Sequence, residues 1–327
     1  MLLAYISLIG GLAALVVAGD ILVRGSVGIA TRLGIPSLII GLTIVAFGTS
    51  APELVISLKS AMEGADGIAI GNVVGSNIAN VLIVLGLPAL IANTPCNEKG
   101  TLRNSAFMVA ISLIFIGLCY QGTLSVFSGL ILLVLLVVFL ADSARTALAH
   151  RKSTRSEQSD DSELLGDIDP SELPDSYWKA GVMVAIGLIG LPISAHFTID
   201  GATQIAAQWG VSDAVIGLTV VALGTSLPEL ATTMMAAIRG HAAVALGNVI
   251  GSNIFNILAI LGITSVITPL DIPAQFFAFD FWVMLACALL VLFFTIKKIE
   301  LNKVWGVGLT LAYVAYIYGV FAVGQAG

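Results

Sequence analysis

The sequence predicts an all-α polytopic membrane protein: ten transmembrane helices in two inverted five-helix repeats, with helices broken at the midplane. Three observations carry this. Of 327 residues, 58% are hydrophobic and only 10% charged, and the mean hydropathy is +1.03; a soluble domain carries about a quarter charged residues. The apolar residues fall into runs long enough to cross the bilayer, which takes roughly 20 residues per helix. The chain also repeats itself at a fixed offset of 176 residues.

The candidate spans lie near 2–23, 36–60, 67–92, 105–119, 123–141, 180–199, 211–238, 242–267, 276–295 and 304–323. The opening run "MLLAYISLIGGLAALVVAG" lacks the basic stretch that begins a signal peptide. It also has a counterpart in the sixth span, so it is read as a mature helix. Cys96, Cys119 and Cys287 show neither CxxC spacing nor an even count, which points to small packed residues and not to a disulfide or zinc framework.

Laying residue n over n+176 aligns "GIPSLIIGLTIVAFGTSAPEL" (34–54) with "GVSDAVIGLTVVALGTSLPEL" (210–230), identical at 13 of 21 positions. The same offset sets "GNVVGSNIAN" (71–80) over "GNVIGSNIFN" (247–256), identical at 8 of 10. Five spans per half is an odd number, so the second half enters the membrane from the opposite side. With the N-terminus outside, 13 of the 14 Lys and Arg residues fall on the cytoplasmic side, Lys59 being the exception. Both termini are then outside. The units are a first repeat 1–141 with its motif at 41–86, a cytoplasmic linker 142–178, and a second repeat 179–327 with its motif at 217–262. The linker carries four basic residues and then eight carboxylates between Glu157 and Asp175. It fits no EF-hand loop and reads as a solvated, partly disordered connector.

Of 20 acidic residues, 18 can be placed in the linker, in loops or near span ends; Glu53 and Glu229 cannot. They hold equivalent positions deep in spans 2 and 7, where an unpartnered carboxylate costs several kcal/mol. No basic residue lies deep in any span to pair with them. Permanent protonation is one alternative; a mobile cation is the other, and the flanking residues suit it. Pro52 has no N–H and clashes with the Gly48 carbonyl, weakening the helix. Such irregular backbone is tolerated in lipid only when buried in protein or lining a cavity. Thr49, Ser50 and Glu53 can then bring two hydroxyls and a carboxylate towards that cavity, and Thr225, Ser226 and Glu229 repeat the pattern. Ser76 with Asn80, and Ser252 with Asn256, add oxygens from one face of spans 3 and 8. Asn72, Asn77, Asn248 and Asn253 read as interhelical hydrogen-bond glue, and Gly71, Gly75, Gly247 and Gly251 as small-xxx-small contacts. His196 falls opposite Asp20, near an outer span end, with no site role. Hard oxygen donors without imidazole or thiolate select Ca2+, Na+ or Mg2+, and a flexible set with two carboxylates suits Ca2+.

The tandem of "GTSAPE" with "GNVVGSNIAN" and "GTSLPE" with "GNVIGSNIFN" resembles the two alpha-repeats of the sodium/calcium exchanger family, within the cation/calcium antiporter superfamily. In length and plan the likeness covers the whole chain. It implies a Ca2+ site on Glu53 and Glu229 with the carbonyls of Thr49 and Thr225. It implies Na+ sites from the Ala46 carbonyl, Ser50 and Ser252 on one side, and from the Ala222 carbonyl, Ser226 and Ser76 on the other, with Asn80 and Asn256 completing the centre. Potassium-dependent members carry Asp where this chain has Asn256, which argues against K+ dependence. Proton-coupled relatives with an "NAVE"-like motif match "GTSxPE" less well.

An empty site with two negative charges is costly to carry across the midplane, whereas one Ca2+ or two Na+ neutralises it. Antiport follows: inward Na+ drives Ca2+ outward as spans 1 and 6 shift against a fixed core. The resemblance implies more than two Na+ per Ca2+, hence electrogenic exchange. Proton/calcium antiport is the alternative. An intramembrane hydrolase using Ser50 or Ser226 lacks a base nearby, since His150, His196 and His241 fall at span ends or in loops; a scaffold has no reason to duplicate a buried ionisable site. The expectation is therefore a transporter, not an enzyme, in a bacterial-type inner membrane. Ca2+ and Na+ are its substrates, the bilayer is its surroundings, and no cofactor, nucleic acid or obligatory protein partner is expected.

Overall fold

The computed structural model describes residues 2–156, 174–209 and 222–326, the side chains of 152–156, 222 and 321–326 excepted. These residues are almost wholly helical, as an apolar chain in hydrocarbon requires, because only a helix satisfies its backbone within one segment. In chain order the helices are α1 Leu2–Leu33, α2 Ser37–Thr49, α3 Ala51–Met62, α4 Asp66–Ala89, α5 Thr101–Cys119 and α6 Val126–Ser156. After the linker come α7 Tyr177–Gln208, α8 Ala222–Thr225, α9 Leu227–Ile238, α10 Ala242–Ile267, α11 Asp280–Ile296 and α12 Lys303–Ala326.

Among the described residues seven helices are long and apolar enough to cross a membrane, and eight if α2 and α3, bent by 44° at their break, form one span. Helices α9 and α11 are apolar but shorter. The opening part of the expected seventh span, 211–221, and residues 157–173 of the connector lie outside the described residues.

Several helix limits differ from those read off hydropathy. α1 continues ten residues past the expected end at 23, so Asp20 and Arg24 lie within a helix, not at its edge. Asp20 is accommodated there by an ion pair with Arg239 and by Arg24 at 3.9 Å. Arg24, expected in the inner loop after the first span, thus lies in the continuation of α1 instead. α6 runs to Ser156, so residues 142–156, expected to begin the connector, prolong a helix instead. Arg103 of α5 holds that extension through Asp142 at 3.0 Å and Thr146 at 3.0 Å.

α3 and α9 end in the same way. Gly64 and Gly240 take φ of 76° and 73°, a left-handed conformation open to glycine. The Ala65 N–H then closes on the Ser60 carbonyl at 2.8 Å, and the His241 N–H on that of Ala236 at 2.7 Å. Two short antiparallel ribbons tie the halves: β1 Thr94–Pro95 pairs with β4 Glu300–Leu301, and β2 Thr123–Leu124 with β3 Leu270–Asp271.

α4 and α10 form the centre, with 78% and 83% of their apolar windows buried, against 33% for both α1 and α7. Gly247 and Gly251 let α10 lie directly on α2: a Cβ there would stand 2.7 Å from the Leu38 carbonyl oxygen and 2.6 Å from that of Leu42. This is the small-residue contact expected of the second block. Gly71 makes only ordinary contact with the Phe276 ring, and the segment equivalent to α2 lies largely outside the described residues.

Candidate functional site: a buried oxygen cluster where two broken helices meet

Pro52 and Pro228 stand in the first turn of α3 and α9. There the missing N–H is harmless to the helix that follows, but the carbonyls of Gly48 and Gly224 lose their amide partner. The ladder stops with the Ser50 N–H on the Ala46 carbonyl at 3.0 Å and resumes with the Leu54 N–H on the Ser50 carbonyl at 3.2 Å. Ser50 and Ser226, at φ/ψ of −84°/5° and −86°/5°, form matching breaks. Glu53 and Glu229 follow in the first turn, where the positive end of the helix dipole favours a carboxylate. Both are fully buried.

The two breaks meet. The Ser50 hydroxyl of the first break donates to Glu229 Oε1 of the second at 3.0 Å. Thr49 Oγ1 lies 3.3 Å from Asn248 Oδ1 and 3.5 Å from Ser252 Oγ. Ser76, Asn80, Thr225, Ser226, Ser252 and Asn256 are buried. The Ala46 carbonyl already accepts the Ser50 N–H and, at 3.3 Å, the Thr49 hydroxyl. Ala222 opens α8 at the edge of the described residues.

Hydrogen bonds set the asparagines in two classes, related by the repeat. Asn77 and Asn253 donate reciprocally to each other's carbonyl at 3.3 Å, joining α4 to α10 as the glue reading requires. Asn80 Nδ2 donates to Asn253 Oδ1 at 3.1 Å and Asn256 Nδ2 to Asn77 Oδ1 at 2.9 Å, so the Oδ1 atoms of Asn80 and Asn256 are left free to accept. Asn72 is held by the Glu53 carbonyl and Ser57, and Asn248 by the Glu229 carbonyl and Thr233. Ser57 and Thr233 were not singled out from the sequence; their signal is a hydroxyl four residues after each glutamate. Replacing Asn248 with Ala is expected to cost about 1 kcal/mol of stability while sparing ion affinity, because it removes a brace. Thermal unfolding alongside Ca2+ titration checks this.

Asn80 and Asn256 each open a π-helical stretch, Asn80–Val84 and Asn256–Leu261, and Gly41–Val45 of α2 is a third. A π segment inserts a residue into the turn, which re-aims the side chain beside it and recurs at functional sites.

Among the described residues ten buried side-chain oxygens lack a hydrogen-bond partner, and six belong here: both oxygens of Glu53, Oε2 of Glu229, Oδ1 of Asn80 and Asn256, and Oγ of Ser226. Among the described residues no three or more His, Cys, Asp or Glu side chains are grouped so as to hold a metal ion by themselves. The cluster is thus two carboxylates among neutral hard oxygens, a donor set for alkali or alkaline-earth cations.

A family profile described as sodium/calcium exchanger protein matches residues 3–143 and 179–322. The chain belongs to that family. Members of this family are transporters, and residues 144–178 lie between its two matched blocks. The chain is 33% identical to the sodium/calcium exchanger MaX1 of Methanosarcina acetivorans, over 97% of its own length and 98% of that protein. It is 36% identical to the inner membrane protein YrbG of Escherichia coli, over 89% and 88%. Its fold matches the solved sodium-calcium exchanger NCX_Mj with a TM-score of 0.81 at 31% identity, covering 97% of this chain and 98% of that one. The match to an exchanger fold is consistent with integral membrane placement and cation/Ca2+ antiport.

Proposed function

We propose that the chain exchanges Na+ for Ca2+ electrogenically by alternating access, through ten spans in two inverted repeats, 1–141 and 179–327. The observation that carries this reading is the set of six unpartnered, buried oxygens with no cation among the described side chains to neutralise them. Buried acceptors without donors are rare and are met by ordered water or by an ion; two carboxylates among the six make the cation the partner that also neutralises them. Ca2+ is held by Glu53, Glu229 and the carbonyls of Thr49 and Thr225. Na+ is held by the Ala46 carbonyl, Ser50 and Ser252, and by the Ala222 carbonyl, Ser226 and Ser76, with Asn80 and Asn256 lining the centre. The names of MaX1 and NCX_Mj support this choice of ions.

Two negative charges make the empty site the state least able to cross, and one Ca2+ or two Na+ cancels them. Helices α1 and α7, whose apolar windows are 33% buried against 78% and 83% for α4 and α10, move past that core to expose the site to either side. Both termini lie outside, 142–178 is cytoplasmic, and the naming of YrbG supports an inner membrane.

The test is Ca2+ uptake into proteoliposomes. Uptake driven by internal Na+, accompanied by charge movement and slowed at low pH as protons compete for the same carboxylates, is expected. Uptake driven only by a proton gradient would replace Na+ with H+ in this reading.

A further inference from the structure

Helices α1 and α7 pack along their length through glycines. A Cβ on Gly11 would lie 2.5 Å from Thr198 Oγ1, on Gly187 2.5 Å from Leu22 Cβ, and on Gly201 2.5 Å from the Leu8 nitrogen. Backbones this close slide or tilt together, so the two helices behave as one body. Its seating on the rest is lopsided. α1 presses on α9, where a Cβ on Gly19 would stand 3.0 Å from the Ala231 carbonyl, and one residue on Asp20 forms its ion pair with Arg239, just past the end of α9.

The equivalent contact 176 residues away, between α7 and α3, is not made. Val55, the counterpart of Ala231, is 65% exposed. His196 stands where Asp20 stands, and Glu63 where Arg239 stands. Among the described residues no hydrogen bond or ion pair joins Glu63 to His196; Glu63 instead lies 3.9 Å from Lys59 on its own helix. Arg24 is answered by Asp200. Arg239 thus gives way to Glu63, Arg24 to Asp200 and the Asp20 carboxylate to an imidazole, so the cross-helix pair of each half can still hydrogen-bond. Sidedness accounts for the basic residues Arg24 and Arg239 being replaced by Asp200 and Glu63 on the other face; it does not account for a hydrogen-bonding partner to Glu63 at the position of Asp20, which His196 supplies. An imidazole can donate to a carboxylate in either protonation state.

We propose that Asp20–Arg239 and Glu63–His196 are alternate latches, the first holding the α1/α7 body against α9 in the state seen here and the second holding it against α3 in the opposite state. This rests on the alternating-access reading above. These four are positioning residues: none lies among the oxygens of the ion site.

Cysteine cross-linking tests it. With Cys96, Cys119 and Cys287 replaced by Ala, one variant carries Asp20→Cys with Arg239→Cys, a second Glu63→Cys with His196→Cys, and a third all four. Oxidation in proteoliposomes is expected to form either disulfide, including the Glu63/His196 one that this structure does not prepare. Each should stop Ca2+ exchange, reduction should restore it, and mass spectrometry of the third variant should find one bridge or the other but never both. Both bridges in one molecule, a Glu63/His196 bridge that never forms in a variant that exchanges Ca2+, or exchange that continues through either bridge overturns the proposal. If the reduced variants are idle, the swapped pair Asp20→Arg with Arg239→Asp decides. Exchange restored relative to Asp20→Arg alone supports the latch; equal loss overturns it. Wild-type flux under Na+ or proton gradients in the same vesicles reports separately on the coupling ion, so failure there leaves the cross-linking result standing.

Discussion

Replacing Glu229 with Gln abolishes Ca2+ exchange, on the expected result, while the ion-free protein unfolds at the same or a higher temperature. The side chain keeps its shape, and its oxygen still accepts from the Ser50 hydroxyl, which lies 3.0 Å away in the native protein. What disappears is half the charge available to a divalent ion in a site screened from water. Removing one partner of a buried charge pair costs about 3–5 kcal/mol, or more than about 100-fold in Kd. Without ions the same change relieves an uncompensated buried charge. Glu53→Gln should act alike, because both of its oxygens lack partners. Exposed Glu300, replaced by Gln, serves as the control and should change neither quantity. Ca2+-dependent thermal shift measures both effects at once, since a ligand that binds only the native state raises its stability by mass action. A Glu229→Gln protein still stabilised by Ca2+ at wild-type concentrations would contradict the charge argument.

The second large effect is structural. Gly251→Ala places a methyl group 2.6 Å from the Leu42 carbonyl oxygen and 2.8 Å from Leu42 Cα. These are backbone atoms of α2, so no side chain can swing aside, and the helices must part. Overpacking of this kind costs about 1–3 kcal/mol even where side chains can adjust. Here it also displaces Ser252 and Asn256, which follow on the same helix. Folded yield and Ca2+ affinity are expected to fall together, measured by size-exclusion chromatography after heating and by titration. Gly117→Ala on α5, with nothing within 4 Å of the added carbon, should be neutral or slightly stabilising.

The sequence made the breaks legible because proline states its effect locally: Pro52 and Pro228 remove a donor wherever they stand, and the structure places both at the start of a half-helix. The burial of Glu53 and Glu229 was legible from the length of apolar chain around them. The π segments at Asn80 and Asn256 were not, since the choice of an i to i−5 bond depends on how α4 and α10 pack on each other and leaves no composition of its own. Helix ends were misplaced for a related reason. Hydropathy marks where lipid contact ends, but residues 142–156 contain Ala, Leu and Arg that continue a helix readily in water. The span of α1 past residue 23 needed Arg239, more than two hundred residues away, to make Asp20 tolerable.

The central claim is that the unpartnered oxygens of the two repeats hold Ca2+ and Na+ in turn. Equilibrium binding of radioactive Ca2+ to the purified protein, over a series of Na+ concentrations, tests it most directly. One Ca2+ per chain, displaced by Na+ more steeply than one for one and lost when Glu53 and Glu229 are both Gln, is the expected result. Ca2+ retained in that double variant, or bound undiminished at saturating Na+, would contradict it.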